Sequence, residues 1–391
     1  MNTATQTTQN VPSQPTGVVV LKLLKDNATL VALVVLAIIF GFLNPSSFFT
    51  PRNLTNLANQ TTISGIIAVG MTMVILLGGI DLSVGSIVGL SSVVVTLMMK
   101  GGLNVWLACL LTIILCGGGL GAWNGFWIAH YKIPPFIITL GLMTIARGLA
   151  LALAKGSSVP VVDPTQMFAQ IGGGFIPKGA SGAIVLIALG WFVYSTYRDL
   201  RQKRQYGIEM KQQDAITSVG IGVVGLGLAF YVFTSYRGIP MPVAFFVIMA
   251  FIGSFLLQKT KLGRRLYALG GNEEAARLSG INIFQTKMFV FTLVSALSSF
   301  AGILLTSRLN GGSPNLGTGF ELDAIAAVVI GGTSLSGGSG TITGTVIGAL
   351  IIGVLNNGMS LLGVQDFYQF MIKGFLIMFA VWFDTVSKKK K

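Results

Sequence analysis

Apolar runs recur along the chain at about residues 28–43, 61–80, 82–99, 105–129, 135–154, 181–197, 214–236, 241–258, 286–306, 321–333, 341–362 and 366–385, with polar punctuation between them. A helix needs roughly 20 mostly apolar residues to cross a hydrocarbon core about 30 Å thick. Only segments that satisfy their own backbone polar groups are stable there. The pattern therefore predicts an all-α fold: a polytopic transmembrane helix bundle of about ten to twelve spans with glycine-broken hairpins. The run at 321–333 is too short to cross alone and glycines at 331–340 break it from the next, so half-helices or a re-entrant hairpin are expected there. The composition of 52% hydrophobic and 10% charged residues excludes an ordinary soluble domain, which carries about 25% charged residues.

The net charge of +14 does not indicate nucleic-acid binding, because the basic residues lie between apolar runs rather than on a soluble surface. Short cytoplasmic loops accumulate Lys and Arg. Placing the N-terminus inside puts Lys22, Lys25, Lys132, the cluster at 198–211, the stretch at 259–287 and residues 388–391 in the cytoplasm. Arg147 and Lys373 then fall within spans. Both termini are expected in the cytoplasm. Residues 1–20, rich in Thr, Gln and Ser, read as a disordered tail, and the first apolar run lacks a small-residue cleavage pattern. Residues 21–391 are then a single transmembrane domain. Basic side chains at 198–211 and 388–391 suit contact with anionic membrane lipid or a soluble partner, but the topology rule alone also explains them.

Little reactive chemistry is available. His130 is the sole histidine, and Cys109 and Cys116 lie seven apart in an apolar run without the spacing of a thiolate metal site. No metal, disulfide, haem or other cofactor is expected, and no catalytic constellation can be assigned.

Two segments share the pattern GG-x-x-L-S-x-G: Gly78-Gly79-Ile80-Asp81-Leu82-Ser83-Val84-Gly85 and Gly331-Gly332-Thr333-Ser334-Leu335-Ser336-Gly337-Gly338. Each lies between two apolar helices. Paired interrupted segments of this kind point to a transport pathway; coincidence in a glycine-rich membrane chain is the alternative.

The polar stretch at about 259–285 holds a short helix with complete end signals. Asn272 is a natural N-cap, Glu273 and Glu274 sit where the helix dipole favours negative charge, and Gly280 supplies the stop. Ala275, Ala276 and Leu278 are expected to form one apolar face, with Glu273, Glu274 and Arg277 as polar contacts, suited to a groove on a soluble partner or to the lipid interface.

Residues 274–281, EAARLSGI, resemble the EAA-x-x-x-G signature of bacterial ATP-binding-cassette importer permeases, the loop that contacts the ATPase in that class. Residues 263–281, 65–86, 121–129, 134–151 and 321–340 are similar to the permeases for ribose, galactose and xylose, and the resemblance covers nearly all of the chain from Leu54 onward. The proline-containing end of the fuller signature is absent, as in the sugar-permease branch. An extra pair of spans at about 180–237 resembles the larger xylose-type members. The resemblance implies a permease in the bacterial plasma membrane, paired with a second permease subunit, an ATPase subunit and an extracytoplasmic sugar-binding protein. It implies ATPase coupling through Gly271, Asn272, Glu273, Glu274, Ala275, Ala276, Arg277, Leu278, Ser279 and Gly280. The chain has no GxxxxGK[ST] phosphate loop of its own, so uphill transport requires another subunit or an ion gradient. A gradient-driven secondary sugar carrier is the alternative, and it would not need the helix after Asn272.

Ionisable residues inside a membrane face protein, water or substrate, which selects Asp81, Arg147, Glu321, Asp323 and Lys373. Two roles fit Asp81: gating in the first glycine-broken hairpin beside Ser83, or capping of the following helix. Glu321 and Asp323 fit the first turn of their own helix, and Arg147 suits pairing with an acid or a backbone carbonyl. For a neutral sugar, uncharged polar groups suffice as a pathway, so Asn56, Gln60, Asn124, Asn356 and Asn357 join the candidates, with Asn59 beside them. Asn356 and Asn357 equally suit interhelical hydrogen bonds, and Trp123 and Trp127 suit interfacial anchoring.

Overall fold

A computed structural model describes residues 28–163, 165–206 and 212–389. The tail at 1–20, Lys22, Lys25, Lys211 and the last two lysines lie outside the described residues. Every apolar run folds as a helix: α1 (Ala28–Leu43), α2 (Pro51–Leu76), α3 (Val84–Lys100), α4 (Val105–His130, with a wider π turn at Ile113–Gly119) and α5 (Pro135–Leu153). A short α6 (Met167–Gly173) precedes α7 (Lys178–Gln205), α8 (Gln212–Ser235) and α9 (Met241–Lys259). Two short helices, α10 (Lys261–Gly271) and α11 (Glu273–Leu278), lead to α12 (Ile283–Leu309), α13 (Phe320–Ile330), α14 (Ile342–Leu361) and α15 (Asp366–Lys389). Among the described residues, seven helices are long and apolar enough to cross a membrane, and Ala28–Leu43, Val84–Lys100 and Val219–Ser235 are shorter apolar helices.

The core forms around α2 and α12. In the apolar window of α2, 94% of residues are buried, against 17% in that of α7, so α2 is enclosed by protein while α7 presents its side chains outward. Without a hydrophobic drive between helices in lipid, close backbone approach through small residues supplies the packing. Gly117, Gly121 and Gly125 form such a stripe along α4, where an added Cβ would come within 2.6 to 2.9 Å of the α12 backbone at Ala296, Thr292 and Met288 in turn. The descending order makes the two helices antiparallel. Helices α7 and α8 pack on each other, Gly182 against Phe230 and Thr234.

Two-residue ribbons occupy one end of the bundle. Val159–Pro160 pairs antiparallel with Gly311–Gly312, and Phe175–Ile176 with Ile239–Pro240. The Asp163 carboxylate accepts from the Phe168 N–H at 2.7 Å, and the Ser307 hydroxyl accepts from the Gly172 N–H at 2.7 Å, fastening α6 to the end of α12. The glycine-broken loops and the α10–α11 pair lie together at another place, described next.

Candidate coupling site and transport pathway

Thr260 opens α10 by accepting from the Gly263 N–H, and Asn272 opens α11 by accepting from the Ala275 N–H at 2.9 Å. The stop at Gly280 is a left-handed residue (φ +79°), with its N–H on the Arg277 carbonyl and the Ile281 N–H on the Ala276 carbonyl. Arg277 grips Glu274 at 2.5 Å on an exposed surface, and that hydrogen bond holds the Glu274 carboxyl below the usual carboxylate range. Lys287 in the first turns of α12 reaches both Glu273 oxygens at 2.9 Å, bracing α11 against the span that follows. The expected single apolar face does not form. Ala276 is buried while Ala275 and Leu278 are exposed, Leu278 by 79%, because in six residues a 100° step per residue turns positions 276 and 278 to different sides. Leu278, Glu274 and Arg277 therefore form the outward surface.

The inner side of α10 joins both copies of the GG-x-x-L-S-x-G pattern. The Gly338 N–H donates to the Leu76 carbonyl at 3.0 Å, linking the loop after α13 to the end of α2. Gly270 fits between them with no room for a Cβ, which would overlap the Leu76 carbonyl oxygen and the Gly338 nitrogen. The Tyr267 hydroxyl donates to the Gly340 carbonyl at 2.8 Å, and burial pushes the phenol pKa up. The three segments therefore share one end of the bundle.

Beyond Gly79 the first loop runs beside the start of α5. The Leu82 N–H donates to the Thr139 hydroxyl at 3.1 Å. The Asp81 carboxylate accepts from the backbone N–H of Ser83 at 2.8 Å and from its hydroxyl at 2.6 Å, and the Asn124 amide donates to the same hydroxyl at 3.2 Å. Asp81, Ser83 and Asn124 are all inaccessible to solvent. Asp81 thus closes a turn on Ser83 ahead of α3 and makes no side-chain cap to that helix.

The first turns of α3 and α13 lie side by side, with Glu321 and the Gly317 carbonyl against Gly85. Arg147 donates to the backbone carbonyls of Pro314 and Leu316, the latter at 3.1 Å, across Gly89, where no side chain would fit. It makes no ion pair with an acid among the described residues. Asp323 is 2.9 Å from the Lys373 ammonium of α15, and its carboxylate also accepts from the Asn356 amide at 3.2 Å. Asn357 exchanges amide hydrogen bonds with Asn53, at 2.9 and 3.0 Å. Asn356 and Asn357 therefore both make hydrogen bonds between helices. Asn56 and Gln60 differ from the rest: with Arg52 they occupy positions i, i+4 and i+8 on one exposed face of α2. Trp123 and Trp127 stack edge to face at 5.6 Å on the α4 surface.

Sequence reasoning missed Asn53, Tyr267 and Gly270. Lys373 was visible as a charge inside an apolar run, whose need for a partner was the available signal; which acid it meets depends on how α13 and α15 pack.

The model of the family described as branched-chain amino acid transport system permease components matches residues 53–381. The chain belongs to this permease family. It is 41% identical over 365 residues to the xylose transport system permease protein of Haemophilus influenzae, covering 92% of this chain and 96% of that one. The xylose transport system permease protein of Escherichia coli K12 is 39% identical over 367 residues, covering 92% and 91%. The ribose import permease of Bacillus subtilis is 41% identical over 352 residues, covering 90% of each chain. No solved structure matches. A permease family and apolar helices of spanning length make this a multi-pass membrane protein.

Proposed function

We propose that the chain is the transmembrane permease subunit of an ATP-binding-cassette importer that moves a monosaccharide, a xylose-type sugar foremost, across the bacterial plasma membrane. The observation that carries this reading is similarity to xylose permeases over 92% of the chain. The capped α11, with its outward Glu274, Arg277 and Leu278, supports it as the place where an ATPase subunit docks through residues 271–280.

ATP-driven closure of the ATPase would push on α11. Because Gly270 in the last turn of α10 is wedged against Leu76 and Gly338, that displacement reaches the end of α2 and the loop after α13 as a rigid-body tilt. A second permease subunit completes the pathway, with Asn56 and Gln60 as accessible polar groups for sugar hydroxyls, and an extracytoplasmic binding protein delivers the sugar. Residues 21–391 form one domain of ten to twelve spans with both termini in the cytoplasm.

The test is purification from the native membrane with identification of co-purifying subunits, then ATP hydrolysis measured with sugar-loaded receptor. Recovery of an ATPase with sugar-dependent hydrolysis supports the reading. A chain that purifies alone and carries sugar under an ion gradient without ATP overturns it.

A further inference from the structure

A cleft of about 480 Å³ opens where the end of α9, the first turns of α10 and the first turns of α12 converge. Its walls divide by chemistry. Leu256, Leu262 and Phe289 supply an apolar side, whereas Lys261, Arg265 and Gln285 supply a polar side, and no acidic residue lines it. Lys261 and Arg265 stand at i and i+4 on α10, a spacing at which like charges repel, and neither makes an ion pair among the described residues. The α10 N-terminus adds the positive end of its dipole on the same side.

We propose that this cleft binds an anionic phospholipid, with its phosphate between Lys261 and Arg265 and the first carbons of an acyl chain along Leu256, Leu262 and Phe289. Two cations on a wall without carboxylates favour an anion over a cation or a neutral headgroup, and the apolar wall made by the spans α9 and α12 suits a lipid chain, which a free phosphate lacks. Basic pockets between spans on the cytoplasmic side hold lipid headgroups in this way. The bound lipid fills the space between α10 and the spans on either side of it, and so braces the α10–α11 pair. The site requires that these helices lie at the cytoplasmic edge of a bilayer, as proposed above, but not that the cargo is a sugar.

The experiment is native mass spectrometry of the full chain, released from nanodiscs of mixed phosphatidylglycerol and phosphatidylcholine. Retention of phosphatidylglycerol over phosphatidylcholine is expected. The double variant Lys261→Gln with Arg265→Gln should weaken it roughly ten- to thirtyfold, at about 1 kcal/mol per basic residue. Gln285→Trp keeps both cations but fills the cleft, and should also release the lipid from it; Arg198→Gln with Arg201→Gln, near the end of α7 and outside the cleft, should not. Equal retention of the two lipids, undiminished retention in both cleft variants, or competition by inorganic phosphate alone would overturn the proposal. So would displacement of the lipid by an added ATPase subunit, which would make the occupant protein.

Discussion

The Tyr267 hydroxyl donates to the Gly340 carbonyl across 2.8 Å, tying the helix before the EAA-like segment to the second glycine-broken loop. Together with the Gly338–Leu76 hydrogen bond, it makes α10, the end of α2 and the loop after α13 one mechanical unit. Tyr267→Phe removes one partly buried hydrogen bond and should cost about 1 kcal/mol in thermal stability, with sugar-stimulated ATP hydrolysis reduced more than the basal rate.

Gly270→Ala should be harsher, because the added Cβ meets backbone atoms of Leu76 and Gly338 that cannot swing aside. Overpacking of this kind costs about 1–3 kcal/mol. Membrane insertion should persist while stimulated hydrolysis falls, measured in proteoliposomes; full stimulation in this variant would dissociate the junction from coupling.

Gly280 presents a different case, since a Cβ there meets nothing within 4 Å and only the positive φ resists substitution. Gly280→Asn should therefore retain most ATPase association and Gly280→Val should lose it, the difference being roughly 1 kcal/mol of backbone strain. Pull-down of the ATPase subunit distinguishes the two, and equal behaviour would remove the left-handed stop from the argument.

Lys373 and Asp323 form a largely buried pair between α15 and α13. Lys373→Met strands the carboxylate and should destabilise the protein by about 3–5 kcal/mol. Adding Asp323→Asn should recover most of that loss, because the amide can still bond Asn356. Thermal unfolding in detergent reads both; a double variant no better than the single would mean that packing, not charge, holds α15.

For Glu274 the folded-state pKa is depressed by the Arg277 hydrogen bond. Whatever this contact contributes is present above the unfolded carboxylate pKa and lost as pH falls through the folded value. Association with the ATPase should thus be flat between pH 8 and about 6 as far as this contact is concerned, and Glu274→Lys should weaken it throughout. A steep loss within that window in the unmodified chain, measured by pull-down, would assign control to another group.

The helices and the ends of α11 were legible in the sequence because both are local. Apolar runs report span by span what a bilayer demands, and Asn272, the Glu273-Glu274 pair and Gly280 satisfy the end groups of one short helix from within eight or nine residues. The family resemblance rested on the same short motifs. Pairings across the chain were not legible. Asn53 and Asn357 are 304 positions apart, and Asp323 could have met Arg147 as readily as Lys373 on composition alone. Likewise, the sequence presented Asp81 and Asn56 as equal pathway candidates, whereas packing buried the first in its own turn and left the second exposed on α2. Inside a bilayer the polar groups that carry specificity choose partners by proximity after the helices have packed, and only the tertiary arrangement sets that proximity.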